Sequence, residues 1–170
     1  NLDGIMSDYG LKKVSGYIAD TQRCYQGNYY AIFPQLSLSG DLGSGISNQM
    51  VLLLNSPGME KTDTDNDNLT VTPFMQTSDS GYAVTENDQT QGQYILGAVS
   101  TNAISADSSD SDSEDEDDES DATDTDTKTA RLTVLASASM ISSDITDQLT
   151  TLDNLTLFVN SVTENFDNVN

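Results

Sequence analysis

Ala130-Arg131-Leu132-Thr133-Val134-Leu135-Ala136-Ser137, within the longer stretch Thr129 to Phe166, is where two hydrophobic periodicities succeed one another without a break. Leu132, Val134 and Ala136 alternate with Arg131, Thr133 and Leu135, which is the period of a strand. Leu135 falls on the polar parity, so both faces of this strand are expected to be at least partly covered, as in a sheet sandwiched by helices. The covering layers are expected from the residues after Ser137. Ser142-Ser143-Asp144 offers N-cap side chains, and Asp153 is a second candidate cap. Beyond Asp153, Leu155, Phe158, Val159, Val162 and Phe166 recur at helical spacing, which predicts a helix with Phe158 and Val162 buried against the sheet. Strand, small-residue turn and amphipathic helix predict an α/β terminus.

Upstream of this stretch, Leu2, Ile5, Met6 and Tyr9 share one helical face and Gly10 sits where a left-handed residue stops a helix. Lys12 to Asp20 reads as a strand, with Val14, Gly16 and Ile18 on one parity and Tyr17 on the other. Thr21 to Gly45 is broken by glycines and Pro34, with Tyr29 to Leu38 extended. Its trio Tyr25, Tyr29 and Tyr30 is either a recognition patch or packing against the sheet, and packing is the plainer reading. Met50 to Leu54 is the densest apolar run, either strand or helix by periodicity and read here as strand. Leu69 to Met75 is a strand whose Pro73 places it near an edge or a bulge. Tyr94 to Ser100 is another.

The 170 residues suit one domain. The net charge is −22, from 28 acidic and 6 basic residues, and 12 of the acids lie between Asp107 and Asp126 with no base among them. Residues 102–128 cannot bury enough apolar area to offset their ordering entropy, which predicts an acidic, disordered low-complexity loop. No basic cluster exceeds Lys12-Lys13, so counterion release cannot drive nucleic-acid binding, and an anionic membrane surface repels the chain. Apolar runs fall short of the ~20 residues of a membrane span, and no signal peptide is visible.

Chemistry-bearing patterns are few. Asp63-Thr64-Asp65-Asn66-Asp67-Asn68 resembles the first half of a calcium loop, making Asp63, Asp65 and Asp67 candidate ligands. Asn68 occupies the glycine position and Phe74 that of the bidentate acid, so a solvated acidic turn is the plainer reading. Cys24 has no second thiol and no histidine to share a zinc site. With no histidine in the chain, a nucleophilic serine needs Lys, Asp or Glu as its base, and Ser56 and Ser137 are the positions to inspect. Gly40-Asp41-Leu42-Gly43-Ser44-Gly45 is glycine-rich but lacks the lysine of a phosphate loop. No catalytic or cofactor-binding residue is assigned and no cofactor is expected.

Three stretches together resemble one family. Leu2 to Gly10 leads into Val14 to Asp20; Val71 to Ser78 is followed by Gly92 to Val99; and the arginine-headed strand leads to Asn154-Leu155-Thr156-Leu157-Phe158-Val159-Asn160-Ser161-Val162. In this order they resemble the extracytoplasmic domain of GldG-like proteins, auxiliary subunits of ABC-type transport systems first associated with gliding motility. The resemblance implies a flavodoxin-like or amidotransferase-like sheet on the extracytoplasmic face of a bacterial cell membrane, anchored by segments outside this chain. Its partners are then the permease and ATPase subunits, with ATP hydrolysis in the latter. The expectation is therefore a single α/β domain over residues 1–170, with a mixed, partly parallel sheet flanked by helices and a non-enzymatic interaction role. Two alternatives stand beside it: a carboxylate-dependent hydrolase of carbohydrate or peptide metabolism, and a weak calcium-binding acidic module.

Overall fold

The computed structural model describes residues 1–104 and 128–164. In chain order the elements are α1 (Leu2–Asp8), β1 (Leu11–Lys13), β2 (Tyr17–Asp20), β3 (Cys24–Tyr25), β4 (Asn28–Ile32), β5 (Gln35–Leu36) and a 3-10 turn (Gly40–Gly43). Then come β6 (Leu53–Leu54), β7 (Met59–Lys61), β8 (Leu69–Gln76), β9 (Gly81–Val84), β10 (Gln89–Gln91), β11 (Ile95–Ile104) and β12 (Lys128–Leu135). A second 3-10 turn (Ala138–Ile141), α2 (Ser143–Thr146) and α3 (Asn154–Thr163) complete the described chain.

The strands form three sheets, and every described pairing is antiparallel. The largest runs β1-β7-β11-β8-β5 with β12 on β11; the others run β10-β9-β2 and β3-β4-β6. This overturns the expected α/β architecture with its partly parallel sheet: the protein is mainly β. A parallel pair needs a crossover, usually a helix, between its strands. Here α2 and α3 come after the last strand and link no two strands, so the helical periodicity near the C-terminus marks a layer on a β-fold rather than a βαβ unit.

The strand expected at Ala130 to Ser137 is present in part. β12 pairs with β11 from Gly97↔Leu135 to Ile104↔Lys128, and its two faces meet different cores, Leu135 packing on one and Val134 and Ala136 on another. The main core gathers Ile18, Ile32, Leu53, Phe74, Met75, Leu96, Val99, Met140 and Leu157. On the opposite side of the large sheet, Met6 of α1 packs with Leu11, Met59, Ile95 and Ala98. β11 serves both because the β8–β11 ladder carries a register shift on each side of Gly97, leaving Leu96 on one strand and Phe74 on the other without a direct partner. Both extra residues are buried in the main core. A methyl group on Gly97 would sit 2.7 Å from Met75 Cε and 2.9 Å from the Phe74 ring, so any larger residue here would make these two buried side chains shift. Pro73 stands beside this irregularity, as its missing N–H requires.

Other boundaries move. Gly10 does stop α1, at φ +73°. Lys12 to Asp20 is two strands in different sheets, broken between Lys13 and Tyr17. The strand expected at Tyr94 to Ser100 runs on to Ile104, so Asn102, Ala103 and Ile104 belong to β11 rather than to the acidic loop, and Lys128 to β12. The rest of that expected loop, 105–127, and Phe166 lie outside the described residues.

The terminal helix is turned relative to expectation. Its buried residues are Asn154, Leu157 and Ser161, with Phe158 half-buried against the main core, whereas Leu155, Val159 and Val162 are exposed. The orientation follows from Asn154. Its Oδ1 accepts from the Leu52 N–H at 2.9 Å, while Nδ2 donates to the carbonyls of Leu52 at 2.8 Å and Met140 at 2.9 Å. Asp153 does not cap α3 with its side chain. Its carboxylate accepts from the N–H groups of Ser47, Asn48 and Met50. These two side chains supply hydrogen bonds that segment 47–52, outside any strand, would otherwise lack, which is why Val51 and Leu52 can be buried there.

Candidate functional site

One candidate is a cleft of about 510 Å³ lined by Gly16, Tyr17, Tyr30, Asn55, Val84, Thr85 and Glu86. Its back wall is a short strip of chain joining two sheets. The Asn55 N–H donates to the Tyr30 carbonyl of β4 at 2.9 Å, and the Ser56 carbonyl accepts from the Ile18 N–H of β2 at 2.8 Å. Residues 55–56 thus hold Tyr30 on one side and Tyr17 on the other. Asn55 has φ +46°, a left-handed conformation uncommon outside glycine and one that asparagine tolerates best.

The opposite wall comes from β9, where Tyr17 is the register partner of Val84. Gly16, at φ +86°, lies so close over this strand that an added Cβ would stand 2.1 Å from the Val84 carbonyl oxygen. Beyond β9 the chain turns tightly: the Thr85 N–H donates to the Asp88 carbonyl, and the Asp88 N–H donates back to Thr85 Oγ1. That turn carries Glu86 at the rim. Among the described residues, the carboxylate of Glu86, the amide of Asn55 and the hydroxyls of Tyr17 and Tyr30 are committed to no hydrogen bond or ion pair. Tyr17 is 55 % exposed. A second, larger depression of about 790 Å³ also borders Gly16 and Tyr17 and is lined among others by Lys12 and Lys13.

The residues singled out from sequence fall elsewhere. Asp63, Asp65 and Asp67 are exposed on the β7–β8 connection, whose internal bonds use Thr64 and Asn66 instead. No group of three or more Asp, Glu, His or Cys positioned to hold a metal occurs among the described residues. Ser56 is fully buried and donates to the Pro57 carbonyl; Ser137 caps the second 3-10 turn through the Ser139 N–H. The tyrosine trio divides. Tyr25 packs edge-on against Phe33, with centroids 6.0 Å apart, Tyr29 is exposed and Tyr30 lines the cleft. Cys24 is a half-buried free thiol in β3.

Two further carboxylates bear on the chemistry. Asp20 is fully buried and accepts four hydrogen bonds, from the N–H groups of Gln22, Arg23 and Ser78 and from the Ser78 hydroxyl. Burial alone would raise its pKa, but these donors together outweigh that and hold it below the ordinary aspartate value. It is a structural tie between β2 and the turn after β8. Glu60 and Asp88 both line a smaller cleft of about 200 Å³, yet each has its own partner: Glu60 pairs with Lys12 at 3.2 Å, and Asp88 accepts from the Gln89 N–H. Burial, with Glu60 adding to it, raises the pKa of Tyr94 beside them, and its hydroxyl donates to the Thr90 carbonyl.

Sequence reasoning passed over Tyr17, Asn55 and Glu86. The available signals were small: a glycine inside a strand pattern, and an asparagine opening the turn Asn55-Ser56-Pro57-Gly58. The cleft joins positions from four separate parts of the chain, and no local pattern records that. No protein-family model, no curated protein and no solved structure matches this chain.

Proposed function

We propose that this chain is a non-catalytic recognition module that engages a partner through the cleft between Tyr17 and Tyr30. The observation that carries the proposal is the conjunction of an exposed tyrosine with uncommitted amide and carboxylate groups around a left-handed asparagine. Aromatic walls with a few placed polar groups are what binding clefts are made of. The carboxylates in hydrogen-bonded positions support the same reading over a hydrolase: Asp20 and Asp153 are occupied by backbone N–H groups, and Glu60 and Asp88 by their own partners.

The interaction role expected from the GldG-like resemblance is retained in this proposal. The specific ABC-type assembly is not, because the resemblance tied it to an α/β fold and the fold is antiparallel β. Panning a random peptide display library against the full chain tests the proposal. Enrichment of a shared motif that is lost with Tyr17→Ala supports it. Ligands that ignore Tyr17→Ala contradict it, as does turnover of a glycoside, ester or peptide that one carboxylate substitution abolishes.

A further inference from the structure

Resting on the recognition reading above, we infer that the Tyr17–Tyr30 cleft takes a cationic side chain, specifically an arginine guanidinium presented by a partner polypeptide. The cleft lining contains two aromatic rings and one carboxylate, and no basic residue. Aromatic faces attract cations through their quadrupole, and a carboxylate takes a guanidinium through two parallel hydrogen bonds. A planar guanidinium satisfies both demands at once, stacking on a ring while presenting its N–H fork to Glu86. An ammonium offers only a point charge.

The charge of the whole chain points the same way. With 28 acids against 6 bases, the protein's field repels anions and draws a basic segment toward any concave acidic rim. The amide of Asn55, on the back wall, adds a carbonyl acceptor to the same cleft, and the bond from its backbone N–H to the Tyr30 carbonyl fixes the backbone that carries it. Neither arginine of the chain lines the cleft: Arg23 donates to the Phe33 and Pro34 carbonyls, and Arg131 pairs with Glu164. The guanidinium therefore comes from outside the chain.

The test uses the full chain and a short capped peptide, Ser-Gly-Arg-Gly-Ser, beside its neutral citrulline counterpart, its lysine counterpart and a methyl glucoside. Calorimetric titration reads binding in every variant, since only two of the chain's seven tyrosines line the cleft and Tyr17→Ala would remove one as a fluorescence reporter. The arginine peptide is expected to bind about tenfold or more tightly than the citrulline peptide, and more tightly than the lysine peptide. Tyr17→Ala and Glu86→Gln, both at exposed positions and checked for unchanged melting, each weaken it about fivefold or more. Replacement of residues 105–127 by Asn-Gly leaves both dependences in place. Equal affinity for arginine and citrulline overturns the inference, and so does preference for the glucoside, or binding lost with 105–127 yet indifferent to Glu86→Gln. If display panning yields Tyr17-dependent ligands with no basic residue, the recognition reading stands and the guanidinium assignment falls.

Discussion

Asn154→Ala removes the side chain that decides how α3 docks. Asn154 is 1 % exposed, and its amide bonds the Leu52 N–H, the Leu52 carbonyl and the Met140 carbonyl, a set that imitates a strand partner for segment 47–52. Truncation leaves these three backbone groups without that partner at a buried position. Each unpaired buried group costs about 1–3 kcal/mol, and water entering the vacated space recovers part of that, so the expected loss is about 3–5 kcal/mol. Against a stability of about 5–15 kcal/mol for an ordinary domain this is a large fraction. With a urea m-value of about 2 kcal/mol/M, the midpoint falls by roughly 2 M. Urea denaturation monitored by circular dichroism measures it, with Leu155→Ala as the control. Leu155 is 57 % exposed, and its truncation is expected to stay within about 0.5 kcal/mol. A loss under about 1 kcal/mol for Asn154→Ala would refute the claim that a polar peg, rather than the apolar stripe, orients the helix.

Leu157→Ala, at a fully buried position, is expected to cost about 2–5 kcal/mol and Val159→Ala almost nothing; the reverse order in chemical denaturation would put the stripe back against the sheet. Because the folded pKa of Asp20 is depressed, its contribution is complete above the ordinary aspartate value of about 3.9 and is lost as pH falls through the lower folded value. Asp20→Asn should therefore flatten the acid limb of the stability curve, and an unchanged limb in pH-jump melts counts against that assignment. Arg131 Nη2 meets Glu164 Oε1 at 2.7 Å, linking β12 to the end of α3. Arg131→Met is expected to cost about 2–4 kcal/mol by stranding the carboxylate, while the double change Arg131→Met with Glu164→Leu recovers most of it; additive losses in the double-mutant cycle would show no coupling. Exchanging residues 105–127 for Asn-Gly should preserve cooperative unfolding, since Ile104 and Lys128 are register partners that a two-residue turn can join, and removing 12 acids relieves self-repulsion. Loss of a single cooperative transition in calorimetry would give that segment a structural role.

What the sequence made legible was local. The alternation of β12, the glycine stop of α1 and the irregularity at Pro73 are each written within a few residues, because sterics and hydrogen-bonding capacity act at that range. Architecture was misread because an apolar strand beside an amphipathic helix is common to α/β folds and to β-folds with a helical cover. The deciding fact is whether a helix lies between two strands or after the last one. The helix face was misread for a related reason. Leu155, Val159 and Val162 form the more apolar side, yet Asn154 satisfies backbone groups 102 residues away, and a buried polar requirement outranks a stripe of partly exposable aliphatics. The cleft was invisible because its residues come from the β1–β2 turn, β4, the Asn55 turn and the end of β9. Only the packing of two small sheets brings them together.

The central claim, that this chain works by recognition at the Tyr17–Tyr30 cleft, is tested most directly by mapping amide chemical shifts of the full chain during titration with the arginine peptide. The largest saturable changes are expected at Gly16, Tyr17, Tyr30, Asn55 and Val84 to Glu86. Changes concentrated in the Asp63 to Asn68 turn or within residues 105–127, with the cleft amides unmoved, would contradict it.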